Sequence, residues 1–140
     1  MNTRVIERIL NANCLSFRGV YSRDTLPTGN VKGLYVCNTD PHDKPGEHWI
    51  AMYFDGDRGE YFDSFGRPPP TVFKDYLNRH CKYWIFNERQ LQSVCSRFCG
   101  HYCVYYCLLR SRGLDLCRIV ASFTNDTGFN DVLVHGFICQ

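Results

Sequence analysis

The chain has 140 residues, of which 44% are hydrophobic and 21% charged; 16 Lys+Arg against 14 Asp+Glu leave a net charge of +2. That length buries about 68–70% of the unfolded surface, enough for one domain over 1–140 with a core that needs no staples, and the composition excludes disorder, a collagen-like repeat and a uniformly basic nucleic-acid binder. No run approaches the roughly 18 apolar residues of a membrane span, MNTRVIERIL lacks the apolar stretch of a secretory signal, and an odd count of nine cysteines reads as reduced intracellular thiols rather than a disulfide framework.

Taken in chain order, Val5, Ile6, Ile9 and Leu10 share one face of a helix over Thr3 to Leu10, with Asn2 or Thr3 available as cap. A Gly-, Ser-, Asp- and Pro-containing loop is expected through Asn30. GLYVCN (33–38) reads as a strand, DPHDKPGE (40–47) as a turn and HWIAMYFD (48–55) as a buried strand. Asp57-Arg58-Gly59 predicts a hairpin turn, with EYFDSF (60–65) returning as the paired strand. After Pro68-Pro69-Pro70, the spacing of Val72, Phe73, Tyr76 and Leu77 predicts a helix over 71–80, and YWIFN (83–87) a strand. Residues 88–98 are polar and read as a loop, GHYCVYYCLL (100–109) reads as a buried helix, and one or two short helices are expected in 114–140. The pattern is α+β: a small mixed sheet packed against helices.

Cys95, Cys99, Cys103 and Cys107 recur every fourth residue, but on a helix the outer pair stands about 18 Å apart, too far for one zinc ion, so no metal is expected. Cys103 and Cys107 read as small buried hydrophobes. Cys99 differs: it precedes Gly100 where a polar loop meets an apolar helix, a place where the helix dipole favours a thiolate and free amides can face an oxyanion. His48 opens the strongest strand, beside Trp49, which stacks near the imidazole or covers the site, or else is a plain core aromatic. Asp63 on the returning strand can fix the imidazole tautomer. Gln92, seven residues before Cys99, carries an NH₂ suited to the same oxyanion. Taken singly, each has an ordinary reading: a buried thiol with a turn glycine, a strand-end histidine, a turn cap, a loop amide. The other histidines have no comparable companions and read as structural.

The ordered set does more than its members. Glu47-His48-Trp49-Ile50-Ala51, Tyr61-Phe62-Asp63-Ser64-Phe65-Gly66, Gln92-Ser93-Val94 and Cys99-Gly100-His101-Tyr102-Cys103, with Phe17-Arg18-Gly19-Val20-Tyr21 and Pro27 upstream, resemble the adenovirus-protease (adenain) family. That family belongs to the cysteine-protease clan of ubiquitin-like-protein proteases, and the resemblance runs over residues 1 to about 110. It implies an adenain-like, papain-like core with the nucleophile at the N-terminus of a central helix, and a thiol endopeptidase with catalytic His48, Asp63, Gln92 and Cys99. The seven-residue step from Gln92 to Cys99 is the adenovirus-type spacing. Asp63, where adenovirus enzymes carry Glu, is the choice of the SUMO-type branch.

The resemblance also implies that Cys81, eleven residues before Gln92, sits where the family can form a disulfide with an activating peptide; otherwise Cys81 is a helix-end core thiol. The charge of +2 and the absence of most of the family's C-terminal portion argue against DNA stimulation. The combination is similar to compact proteases of virus-like transposons (Polinton or Maverick type) or related viruses. It implies a capsid-type precursor as substrate, cut after Gly-containing sites, by a monomer in the host cytoplasm or nucleus or packaged in a virion. It implies no membrane partner and weak or no nucleic-acid binding. A SUMO- or ubiquitin-type isopeptidase and a non-catalytic binding module are the alternatives.

Overall fold

The computed structural model describes residues 1–44 and 48–138. The elements are α1 (Thr3–Asn13), β1 (Phe17–Ser22), β2 (Gly33–Asn38), β3 (Trp49–Asp55), β4 (Arg58–Phe62), α2 (Thr71–His80), β5 (Tyr83–Phe86), α3 (Cys99–Ser111), α4 (Leu116–Ala121) and α5 (Thr127–Ile138). The five strands form one mixed sheet in sequential order. β1/β2 and β4/β5 are parallel, while β2/β3 and β3/β4 are antiparallel. The class is α+β, as the pattern predicts. No described helix is long and apolar enough to cross a membrane.

Both faces of the sheet are covered. Along β3, Ile50, Met52 and Phe54 pack with Phe73, Tyr76 and Leu77 of α2, whereas Ala51 joins α1, α3, α4 and α5 on the other face. The period of two in a strand makes this division. β2 is buried at every position, which is why it reads as an unbroken apolar run instead of an alternating one. In α3, all six residues from Tyr102 to Cys107 are buried, so this helix is enclosed on all sides, with Cys103 and Cys107 as core thiols. Asn2 caps α1, its Oδ1 accepting from Val5 N at 3.0 Å.

Two departures from the sequence expectations have local causes. β1 lies inside the segment read as loop. It is an edge strand whose register shifts between Phe17 and Gly19, and Gly19 has φ +138°, so no clean alternation marks it. The hairpin turns at Gly56-Asp57, with Asp55 paired to Arg58 and Gly56 at φ +59°, so β4 runs over 58–62 instead of 60–65. Asp63 therefore stands just beyond the ladder. Part of the expected 40–47 turn, including Glu47 of the quoted motif, lies outside the described residues, as do the last two residues of the tail.

Buried Glu60 ties β4 to the helical layer. It accepts from Tyr106 OH at 2.6 Å and from Leu116 N at 3.2 Å, and it pairs with Arg110 at 3.2 Å and Arg58 at 3.0 Å. Strand, central helix and α4 thus meet on one carboxylate.

Candidate active site

His48 stands immediately before β3, Asp63 immediately after β4, and Cys99 is the first residue of α3. The β3/β4 register, continued past its last pair, sets Phe65 opposite His48, and the Phe65 ring indeed stacks on the imidazole with centroids 4.9 Å apart. Asp63 reaches the same imidazole because the chain turns there: Gly66 N donates to Asp63 O at 2.8 Å, and Phe65 N donates to Asp63 Oδ1 at 2.8 Å. The same oxygen lies 2.8 Å from His48 Nε2, and both side chains are shielded, being 13% and 5% exposed. Asn87 brackets the Asp63 backbone, accepting from its N–H at 3.0 Å and donating to its carbonyl at 2.5 Å. Gly66 is required by the turn: its φ is +73°, and a Cβ there would stand 2.6 Å from the Arg89 carbonyl carbon. Arg67 lays its guanidinium 4.8 Å from the centre of the Phe65 ring.

With Nε2 engaged by Asp63, Nδ1 is the ring nitrogen left for a second partner, and the Cys99 thiol is near enough to the ring for the two groups to shift each other's titration. Burial alone would raise the Cys99 pKa. The bond to His48, the backbone N–H groups of Trp49 and Gly100 and the imidazolium charge outweigh it, and the thiol is held below its ordinary value. Burial likewise works against imidazolium in His48, but its bonds to Asp63 and Cys99 and their negative charges prevail and raise it to about 9. The two shifts point the same way, toward a thiolate–imidazolium pair. No side chain caps the α3 N-terminus, so its first-turn amides remain available at the sulfur. Trp49 packs against Gly100, its Cδ1 3.3 Å from where a Cβ would stand. The ring stacked on His48 is Phe65, while the partly buried Trp49 indole lies beside Gly100, next to the nucleophile.

Gln92 is fully buried, and its amide is fixed at both ends: Ser64 Oγ donates to Oε1 at 2.5 Å, and Nε2 donates to Ser96 O at 3.1 Å and Ser96 Oγ at 2.9 Å. Its NH₂ is thus directed into the loop that leads to Cys99, with both N–H groups engaged by Ser96. Cys81 caps the C-terminus of α2. Its thiol donates to Leu77 O at 3.1 Å and lies against Gly59, where a Cβ would come within 2.7 Å of the sulfur; burial raises its pKa. The thiol is therefore tucked between α2 and β4 and half-buried. All eight described cysteines are free thiols, and among the described residues no three His, Cys, Asp or Glu side chains cluster as metal ligands.

Sequence reasoning left Ser64, Phe65, Asn87 and Ser96 without roles. The first two lie within the quoted 61–66 motif, and a motif does not say which of its members face the site. Asn87 closes a run read as a strand, and Ser96 stands in a stretch whose composition announces only loop.

No family model and no curated protein matches the chain. Among solved structures it is similar to two crystal structures of the ASFV pS273R protease. One aligns with a TM-score of 0.60 at 17% identity, covering 96% of this chain and 66% of that one. The other, a selenomethionine form, aligns with a TM-score of 0.52 at 23% identity, covering 73% and 43%. The chain thus spans less than two thirds of the length of the protein it resembles. The mixed five-stranded sheet with its enclosed helix is an α+β fold shared with a viral cysteine protease.

Proposed function

We propose that the protein is a cysteine endopeptidase that processes structural precursor proteins of a virus or virus-like element, cutting in extended segments at Gly-containing sites. The observation that carries the reading is the Asp63–His48 hydrogen bond at 2.8 Å, with the thiol of Cys99, the first residue of α3, close enough to the ring for the two to shift each other's titration. A buried carboxylate, an imidazole and a lowered-pKa thiol in sequence are what nucleophilic acyl transfer requires.

In this mechanism the Cys99 thiolate attacks the scissile carbonyl carbon, and the carbonyl π electrons move onto oxygen. The Cys99 backbone N–H and Gln92 Nε2 receive that oxyanion, one Gln92 N–H leaving Ser96 to do so. On collapse the C–N bond breaks, and the His48 imidazolium gives its proton to the departing amine. The thioester then takes up water: His48 removes a proton from it, hydroxide adds to the carbonyl, and the C–S bond breaks to release the acid and restore the thiolate. Asp63 holds the imidazole orientation and stabilises its cationic form.

Cleavage of capsid-type precursor peptides tests the reading. Cys99→Ala and His48→Ala are each expected to abolish cleavage while circular dichroism stays native; turnover by Cys99→Ala refutes it. Asp63 as third member favours one rival, a ubiquitin-like-protein isopeptidase. Labelling of Cys99 by ubiquitin-family suicide probes, with no cleavage of precursor peptides, would establish that rival. An activating peptide joined through Cys81 would need that thiol to turn out from Gly59, and stimulation lost in Cys81→Ser would reveal it.

A further inference from the structure

The C-terminal helix enters the site indirectly. Two of its polar side chains, Asn130 and Asp131, are buried although α5 packs at the surface. Buried polar groups need partners; Asn130 bonds mainly with Thr124, but both residues also reach the strip that carries Gln92. Asn130 Nδ2 donates to Leu91 O at 3.1 Å, and Ser93 N donates to Asp131 Oδ1 at 3.4 Å. Tyr102 OH donates to the same Asp131 oxygen at 2.7 Å and stands 3.2 Å from Leu91 O. From the other side, Leu91 N and Gln92 N both donate to Ser64 O, at 2.9 and 3.0 Å. The peptide groups flanking Gln92 are thereby pinned from two sides. Tyr102 stands one helical turn after Cys99 on α3, so the Asp131–Tyr102 pair fastens the Gln92 strip to the nucleophile's own helix.

We infer that Asp131 is a positioning residue for Gln92: through Tyr102 and Ser93 it sets the distance between the oxyanion amide and the Cys99 sulfur. The inference rests on the peptidase reading above. Tyr102 remains a phenol and thus a donor, since burial and Asp131 together raise its pKa. An amide displaced by about 1 Å loses much of its value in acyl transfer, because oxyanion donors act only where charge develops. Alkylation of the thiolate by iodoacetamide forms no oxyanion and has no use for Gln92.

That difference supplies the test. Turnover of a fluorogenic peptide amide with Gly at the scissile bond and iodoacetamide alkylation of Cys99 are measured on the full chain. In Asp131→Ala, kcat is expected to fall about ten- to hundredfold, with KM and the alkylation rate changed by no more than about twofold. Asp131→Asn keeps an oxygen acceptor in the same place and is expected to restore most of kcat. An unchanged kcat in folded Asp131→Ala, or turnover and alkylation falling together, overturns the inference. If Asp131→Ala does not fold, Tyr102→Phe replaces it: the same split between kcat and alkylation supports the inference, and unchanged turnover overturns it. A wild-type chain that alkylates rapidly but cleaves no peptide refutes the peptidase reading and removes the role of Asp131 with it.

Discussion

Ser64 Oγ donates to Gln92 Oε1 at 2.5 Å, one residue after Asp63 Oδ1 meets His48 Nε2 at 2.8 Å. Two consecutive side chains on one tight turn therefore orient both halves of the proposed site, the imidazole and the amide. Ser64 also decides which way the amide faces: with Oε1 bound, the NH₂ must point toward Ser96 and the approach to Cys99.

Ser64→Ala should release that orientation. Buried Oε1 then lacks a donor, which costs about 1–3 kcal/mol of stability, and the amide is held only at its Ser96 end. Peptide turnover is expected to fall about tenfold or more, with the alkylation rate of Cys99 nearly unchanged. Equal loss of both activities would assign Ser64 a general structural role instead.

Asp63→Asn bears on pH. The active form is thiolate with imidazolium, present from the lowered pKa of Cys99 up to the raised pKa of His48 at about 9. In the wild type kcat/KM should decline as pH rises through about 9, where the imidazolium loses its proton. Removing the Asp63 charge lowers that pKa, so the descending limb moves to lower pH, toward the ordinary histidine value of about 6.5. The limbs belong to the coupled pair, not to either residue alone. The sign for stability follows from the same shift. A raised histidine pKa stabilises the fold fully below the unfolded value, and that contribution fades as pH rises through about 9. A descending limb that stays in place in Asp63→Asn would show that Asp63 does not support the imidazolium.

Glu60→Ala should be the most destabilising of these variants. It leaves Arg110, 13% exposed, with an uncompensated charge and deprives Tyr106 OH of its acceptor. Breaking a buried pair from one side costs about 3–5 kcal/mol. Urea unfolding should show a correspondingly lower midpoint; a shift worth less than about 1 kcal/mol would mean that water replaces the carboxylate.

Much of the fold was legible because its elements carry strong periodicity: the α1 and α2 stripes, the apolar runs of β2 and β3, and the ten apolar-rich residues of α3. β1 escaped because a parallel edge strand with a glycine irregularity has no alternation to read. α5 buries Asn130 and Asp131 while Phe129 and Val132 are exposed, so no apolar stripe marks its extent. The set His48, Asp63, Gln92 and Cys99 is singled out by the resemblance to the adenain family, since each residue taken alone has an ordinary reading. The supports could not be read: Ser64 to Gln92 and Tyr102 to Asp131 are hydrogen bonds across 28 and 29 residues, and no local pattern encodes a partner that only folding brings near.

The thiolate–imidazolium pair can be tested directly by alkylating all cysteines with iodoacetamide at pH about 6 and reading each site by mass spectrometry, since ordinary thiols with pKa about 8.5 are nearly unreactive there. Cys95 and Cys117 are exposed and serve as internal references. Cys99 should react at least about tenfold faster than either in the wild type and lose that advantage in His48→Ala. A Cys99 that reacts no faster than Cys95 and Cys117 in the wild type, with a rate that climbs only as pH nears about 8.5, would contradict the ion pair and the chemistry built on it.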